Sequence, residues 1–133
     1  YVWESLNLLK IDRLDHGNRS LEDEELVKEL VDRKMGLTVC PMSNLKLRVV
    51  DDLRDHPLRT MLDKGLKASI NSDDPAYFGG YMNANYLAIA EALNLNKEEL
   101  VQFAKHSFET SFLIEDKKRE AIKRVAAYLK ADI

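Results

Sequence analysis

This sequence has little cysteine, no cluster of positive charge and no long apolar run, and each of these features excludes a class of structure or partner. The one cysteine, Cys40, cannot form a disulfide within the chain or build a multi-cysteine zinc site, which suits a reducing compartment. Lysine and arginine (20) do not outnumber aspartate and glutamate (23), so the net charge of −3 gives no reason to expect a nucleic acid or an anionic membrane as partner. No apolar run approaches transmembrane length, and the opening residues do not resemble a signal peptide. These absences lead us to expect a cytoplasmic protein.

The composition is that of a globular chain. With 133 residues, 45% of them hydrophobic and 32% charged, residues 1–133 are expected to form a single domain with its own core. No low-complexity linker divides the chain. It lacks an initiator methionine and opens within a helical pattern of apolar residues, so we expect it to be a piece of a longer protein.

Short apolar runs alternate with helical patterns along the chain. The runs "KIDRLDHGN", "LTVC" and "LKASI" predict three strands, with helices in "SLEDEELVKELVDRKMG" and "HPLRTMLDKG" between them. Ser20 is the expected N-cap of the first of these helices, with Asp23 completing a capping box. Three further helices are predicted at 83–93, 97–108 and 115–129. Strands that alternate with helices predict an α/β fold of parallel βα units.

The end of each predicted strand carries residues able to do chemistry. His16 follows the first strand, Cys40 closes the second and is followed by Ser43 and Asn44, and Asp73 and Asp74 follow the third. Because ligands bind at the carboxyl ends of parallel strands, these residues are expected to lie together at that end of the sheet, here called the mouth. The side chains of adjacent residues diverge, so the two acids are expected to perform different tasks.

Each of these residues also has a simpler interpretation. His16 could cap its strand, and the Asp73-Asp74 pair before proline could form an ordinary surface turn. Cys40 is better explained as a small buried strand residue than as a nucleophile, because no positive neighbour is evident. The aromatic-glycine segment 77–81 could be a lid or a packed turn.

Four motifs decide between these interpretations: "RLDHG" at 13–17, "LTVCPMSNLKLRVV" at 37–50, "HPLRTMLDKGL" at 56–66 and "INSDDPAYFGGYMNANY" at 70–86. In this order they resemble the carboxyl-terminal part of the adenosine and adenine deaminases of the amidohydrolase superfamily. The second and fourth motifs are more similar to the adenine branch. The resemblance implies the carboxyl-terminal portion of a TIM (β/α)8 barrel, incomplete in this chain, and zinc-dependent hydrolysis of adenine to hypoxanthine and ammonia in purine salvage.

The resemblance also implies roles for three residues. Asp73 matches the zinc ligand that ends the last barrel strand, and Asp74 matches the acid that hydrogen-bonds a ring nitrogen of the purine. His16 matches the catalytic histidine that orients the attacking water. Zinc makes water nucleophilic near neutral pH, and an acid must protonate the purine ring to make its carbon electrophilic.

The family's His-x-His pair, its further zinc histidine and its proton-donating glutamate have no counterpart here. A catalytic zinc normally needs three protein ligands, and this chain supplies Asp73 alone, so we expect the isolated chain to hold zinc weakly and to be inactive. Unpaired sheet edges are expected to favour self-association or contact with a missing amino-terminal part. Adenosine or N6-methyl-AMP deamination, and a non-catalytic fragment or binding module, remain open as alternatives.

Overall fold

The structure is a computed structural model that describes residues 1–131. Its centre is a parallel sheet of three strands, β1 (Arg13–Asp15), β2 (Gly36–Val39) and β3 (Lys67–Ile70), in the order β1-β2-β3. Leu14 pairs with Leu37 and Leu37 with Ala68, so the three strands end level with one another. The predicted α/β class with three parallel strands is confirmed.

Helices make the connections between the strands and follow them to the end of the described chain. The chain begins with α1 (Val2–Glu4) and a π-helical turn (Ser5–Leu9). A 3-10 turn (Asn18–Glu22) and α2 (Glu24–Asp32) link β1 to β2, and α3 (Pro41–Lys46), a second 3-10 turn (Leu53–Asp55) and α4 (Leu58–Asp63) link β2 to β3. After β3 come α5 (Pro75–Phe78), α6 (Met82–Leu93), α7 (Lys97–Glu109) and α8 (Glu115–Lys130).

The start of α2 differs from the sequence prediction. Asp23, not Ser20, is the N-cap, and its side chain accepts a hydrogen bond from the Leu26 backbone nitrogen at 3.0 Å. Asp23 also accepts a bond from Trp3 Nε1 at 2.8 Å, which ties the opening helix to α2. Ser20 lies in the preceding 3-10 turn and is buried. The capping-box pattern failed because the turn after Gly17 consumes the residues that the pattern assigned to the helix.

Two short helices were not expected from periodicity. Both α3 and α5 begin with a proline in the first turn, where its fixed φ and missing N–H cost nothing. The helix α3 begins two residues after the end of β2, and α5 begins five residues after the end of β3, so both helices lie close to the carboxyl ends of the strands.

The core lies between the sheet and its covering helices. Its fully buried members come from strands, helices and the turns between them: Leu6, Leu30, Leu37, Val39, Leu58, Met61, Leu66, Ala68, Ile70, Ile89 and Phe103. Within residues 1–131, β1 and β3 are edge strands with no strand beyond them, as expected. At the β3 side, His106 on α7 is buried and its Nδ1 lies 2.9 Å from the Ala68 carbonyl oxygen. No helix of the described residues is long and apolar enough to cross a membrane.

Candidate active site

His16 stands at the end of β1 in an unusual backbone conformation. Its φ of 62° and that of Gly17, 73°, place two successive residues in the left-handed region, while the His16 N–H bonds the Thr38 carbonyl at 2.9 Å. A Cβ on Gly17 would lie 2.9 Å from side-chain carbons of Leu14 and Leu37, so this turn requires glycine. The turn leaves the imidazole of His16 half-exposed at the mouth, 41% accessible.

Asp73 lies beside His16, although it follows β3, at the opposite edge of the sheet from β1. Its Oδ2 lies 3.6 Å from His16 Nε2 and accepts a 2.7 Å hydrogen bond from Ser43 Oγ. Asp73 also has a positive φ, 56°, an uncommon conformation that aspartate tolerates better than most residues. Three strand ends therefore contribute to one contact, as the sequence predicted: His16 from β1, Ser43 from the segment after β2, and Asp73 from the segment after β3.

Asp74 has different partners from its neighbour. It is the N-cap of α5, and its Oδ1 accepts a hydrogen bond from the Tyr77 backbone nitrogen at 3.2 Å. Asp74 is exposed, and its second carboxylate oxygen has no hydrogen-bond partner among the described residues. The two adjacent acids thus point to different surroundings, which agrees with divided tasks.

Cys40 lies beneath the contact between His16 and Asp73. The residue is buried, and its Sγ lies 3.6 Å from the Thr38 carbonyl oxygen, to which the thiol donates. Burial, and then the charge of Asp73, raise the pKa of the Cys40 thiol to about 11. A thiol that stays protonated at neutral pH is a poor nucleophile, which fits the prediction of a buried, unreactive residue.

The donor atoms at the mouth fit a zinc ion in kind. One ligand atom each from His16, Cys40 and Asp73 lies within 4.8 Å of the others. Imidazole nitrogen, carboxylate oxygen and thiolate sulfur are all zinc donors, and Cys40 is the buried member of the three. Among residues 1–131, these are the one set of three histidine, cysteine or acidic side chains that lie close enough together to bind the same metal ion. The arrangement fits a site that draws its remaining ligands from elsewhere.

A buried pair supports the site from below. His56 Nδ1 accepts a hydrogen bond from the Leu58 backbone nitrogen at 3.1 Å, so the proton resides on Nε2, which donates to Asn44 Oδ1 at 3.0 Å. Both residues are nearly inaccessible, 3% and 1% exposed. Burial lowers the pKa of His56 to about 4, so the ring is neutral at physiological pH. This pair fixes the Asn44 amide beside the mouth.

A cavity of about 310 Å³ adjoins His16 and is lined also by Gly17, Ser20 and Asn44. Its wall contains two buried polar atoms, Asn18 Oδ1 and Ser20 Oγ, that have no hydrogen-bond partner within the described chain. Buried polar atoms of this kind are normally satisfied by water or a ligand.

The sequence predicted that His16 and Asp73 lie close together, which the structure shows, but it did not predict their hydrogen-bond partners. Ser43 was noted only as a residue after β2, and its bond to Asp73 depends on the unpredicted helix α3. The pairing of His56 with Asn44 carries no sequence signal, because 12 residues and a 3-10 turn separate them.

Comparison with known proteins identifies the family. The family model described as "Adenosine deaminase" matches residues 1–128. The chain belongs to this family. Among curated relatives, the protein named adenine deaminase of Sphingopyxis alaskensis is 59% identical over 128 residues, which cover 96% of this chain and 38% of the relative. The chain therefore spans less than two-fifths of the length of that relative.

Solved structures of the adenosine deaminase family and its superfamily agree with the fold. The adenine deaminase of Arthrobacter aurescens superposes with a TM-score of 0.96 at 43% identity, over 98% of this chain and 40% of the other. An amidohydrolase from Burkholderia ambifaria with bound zinc gives a TM-score of 0.82 at 26% identity, over 98% and 39%. The three βα units are therefore part of a TIM barrel, as the sequence predicted.

Proposed function

We propose that the protein to which this chain belongs is a zinc-dependent aminohydrolase that converts adenine to hypoxanthine and ammonia in cytoplasmic purine salvage. The observation that carries the proposal is the contact between His16 and Asp73, 3.6 Å apart at the mouth of the sheet, in a chain of this family. The adenine branch is favoured because the relatives with 50–59% identity are named adenine deaminases.

Asp73 is the proposed metal ligand. Its Oδ2 is already engaged by Ser43 Oγ, so Oδ1 is the oxygen free to face an ion. A bound zinc supplies the Lewis acidity that makes water nucleophilic near neutral pH. The hydroxyl of Ser43 limits rotation of the carboxylate and so presents that oxygen in a fixed direction.

His16 and Asp74 are the proposed catalytic and substrate-binding residues. The imidazole of His16 orients the attacking water, whose oxygen adds to the ring carbon. One proton of the water ends on the exocyclic nitrogen and the other on a ring nitrogen of the product, and the bond from the ring carbon to the exocyclic nitrogen then breaks as ammonia leaves. Asp74 keeps one carboxylate oxygen free after capping α5, and that oxygen is available to hydrogen-bond a ring nitrogen of the purine. Because the Asp74 side chain also caps α5, its carboxylate is held in one orientation before the substrate binds.

The isolated chain is proposed to be inactive and to associate with other copies or with the rest of the protein. Both sheet edges among residues 1–131 are open, and Asp73 is the one residue that matches a zinc ligand of the family, fewer than the three ligands of a typical catalytic zinc.

The test is deamination of adenine, adenosine and N6-methyl-AMP, with zinc content, measured on this chain and on the complete protein. The proposal expects about one zinc per complete chain and the highest kcat/KM on adenine, with neither property in the short chain. Preference for another purine would reassign the substrate. A complete protein that is zinc-free and inert on all three would refute the proposal, and activity of the short chain would refute its incompleteness.

A further inference from the structure

One buried amide joins the two segments that carry the mouth. Asn85, the fourth residue of α6, is fully inaccessible. Its Oδ1 accepts a hydrogen bond from the Met42 backbone nitrogen at 3.1 Å, and its Nδ2 donates to the carbonyl oxygens of Gly80 and Tyr81, both at 3.1 Å. Both hydrogens of the amide and its oxygen are therefore used.

The two segments held by Asn85 lead directly to the candidate site. Met42 lies in the first turn of α3 and precedes Ser43, the hydrogen-bond partner of Asp73. Gly80 and Tyr81 close residues 77–81, here called the aromatic loop, which follows the N-cap Asp74. The side chain of Asn85 thus links Ser43, the partner of Asp73, to the aromatic loop that follows Asp74 in the chain.

The two segments also touch each other beside this amide. A Cβ built on Gly80 would lie 2.1 Å from Met42 Sδ, so the absence of a side chain at Gly80 is what allows this approach. Phe78 also anchors the aromatic loop, with 8% of its surface exposed, whereas Tyr77 and Tyr81 on the outer side are 77% and 71% exposed. Its Phe78 ring packs edge-on against Tyr77, with centroids 5.0 Å apart.

We infer that Asn85 is a positioning residue that holds the aromatic loop, with Asp74 at its base, in the orientation that receives the substrate. The inference rests on the proposed function. Asn85 makes no side-chain hydrogen bond to Asp73 or Ser43, so its loss should weaken substrate binding without displacing the metal. Exposed tyrosines next to Asp74 form a surface on which a planar base can stack, provided the loop is held in place.

The test uses the complete protein with Asn85→Asp, which keeps the size and the oxygen acceptor but turns a second oxygen toward two carbonyls. KM for adenine is expected to rise at least about tenfold, with kcat within about twofold and zinc content unchanged. Asn83→Asp is the matched control, since Asn83 is exposed on the same helix, and it should leave KM unchanged. If Asn85→Asp does not fold, Asn85→Ser removes the same donors without adding charge and carries the same expectation.

A second readout needs no activity. Chymotrypsin cleavage within the aromatic loop is expected to be faster in Asn85→Asp than in Asn83→Asp. If the wild-type protein deaminates none of the three purines, the proposed function fails, and the cleavage rates alone decide this inference. Equal cleavage rates would overturn it, as would an unchanged KM, or a joint loss of kcat and zinc that marks a merely structural role.

Discussion

Two layers of polar side chains meet at the carboxyl ends of the strands, and they differ in exposure and in pairing. The upper layer contains His16 and Asp73, whose side chains are 41% and 31% accessible. The lower layer contains His56, Asn44 and Asn85, all at most 3% accessible and each hydrogen-bonded. Groups that stay accessible can bind a ligand, whereas buried paired groups fix where the accessible ones stand. We therefore expect the residues of the upper layer to bind the metal and substrate, and those of the lower layer to hold them in position.

The largest effect is expected from removing the upper-layer carboxylate. In the complete protein, Asp73→Asn should lower kcat/KM for adenine by more than about 100-fold and reduce zinc content, because an amide is a weaker metal ligand than a carboxylate. Assays of deamination and metal analysis check this. Asp15→Asn is the control, since Asp15 is an exposed acid at the end of β1. Equal losses in the two variants would remove the distinction between Asp73 and any acid at the mouth.

The next effect concerns stability at low pH and comes from the lower layer. The folded-state pKa of His56, about 4, lies below its ordinary value of 6.5. The unfolded chain therefore takes up a proton first as the pH falls. The contribution of His56 to the free energy of unfolding is fully present above about pH 6.5. It is lost as the pH falls toward 4, which lowers the stability by about 3 kcal/mol. His106, whose pKa burial also lowers, acts in the same direction. Thermal unfolding at pH 7 and pH 4 should show a smaller loss for His56→Gln than for the wild type, and equal losses would contradict the assignment.

Removing the link between the layers should have a smaller effect on the metal than removing its ligand. Ser43→Ala deletes the hydroxyl that holds Asp73 Oδ2 and should weaken zinc affinity of the complete protein by about tenfold, the low end for groups that orient a ligand. Zinc competition with a chelating dye measures this. Ser72→Ala is the control, because Ser72 neighbours Asp73 but its hydroxyl makes no side-chain hydrogen bond within residues 1–131. An affinity unchanged in Ser43→Ala would mean that the serine does not orient the acid.

The smallest effect is expected away from the mouth. Lys67 at the start of β3 pairs with Glu109 on α7, and both side chains are about 30% accessible. Such an exposed pair contributes about 0–1 kcal/mol, so Lys67→Ala should shift thermal unfolding slightly and leave zinc content and KM unchanged. A double-mutant cycle with Glu109→Gln isolates the pair. A change in KM would show that the mouth is not energetically separate from this end of the sheet.

The sequence predicted the upper layer better than the lower one. The end of a strand is visible in the sequence as the end of an apolar run. The alternation of strands and helices therefore sufficed to predict that His16, Cys40 and Asp73 lie together at the carboxyl ends of the strands. The lower layer depends on side chains that meet only in three dimensions, such as Asn85 with Met42, 43 residues away. The helices α3 and α5 are too short for a periodic signal, and the displaced N-cap of α2 followed from the left-handed turn at His16 and Gly17, which single-residue patterns do not reveal.

The most direct test of the account is a crystal structure of the complete protein with zinc, measured at the zinc absorption edge. The account predicts an anomalous peak at about 2.0–2.2 Å from a carboxylate oxygen of Asp73. It also predicts that Ser43 Oγ remains bonded to the other oxygen and that His16 lies beside the ion. A peak bound elsewhere, with Asp73 held by Ser43 alone, would contradict the claim that this mouth is the metal centre.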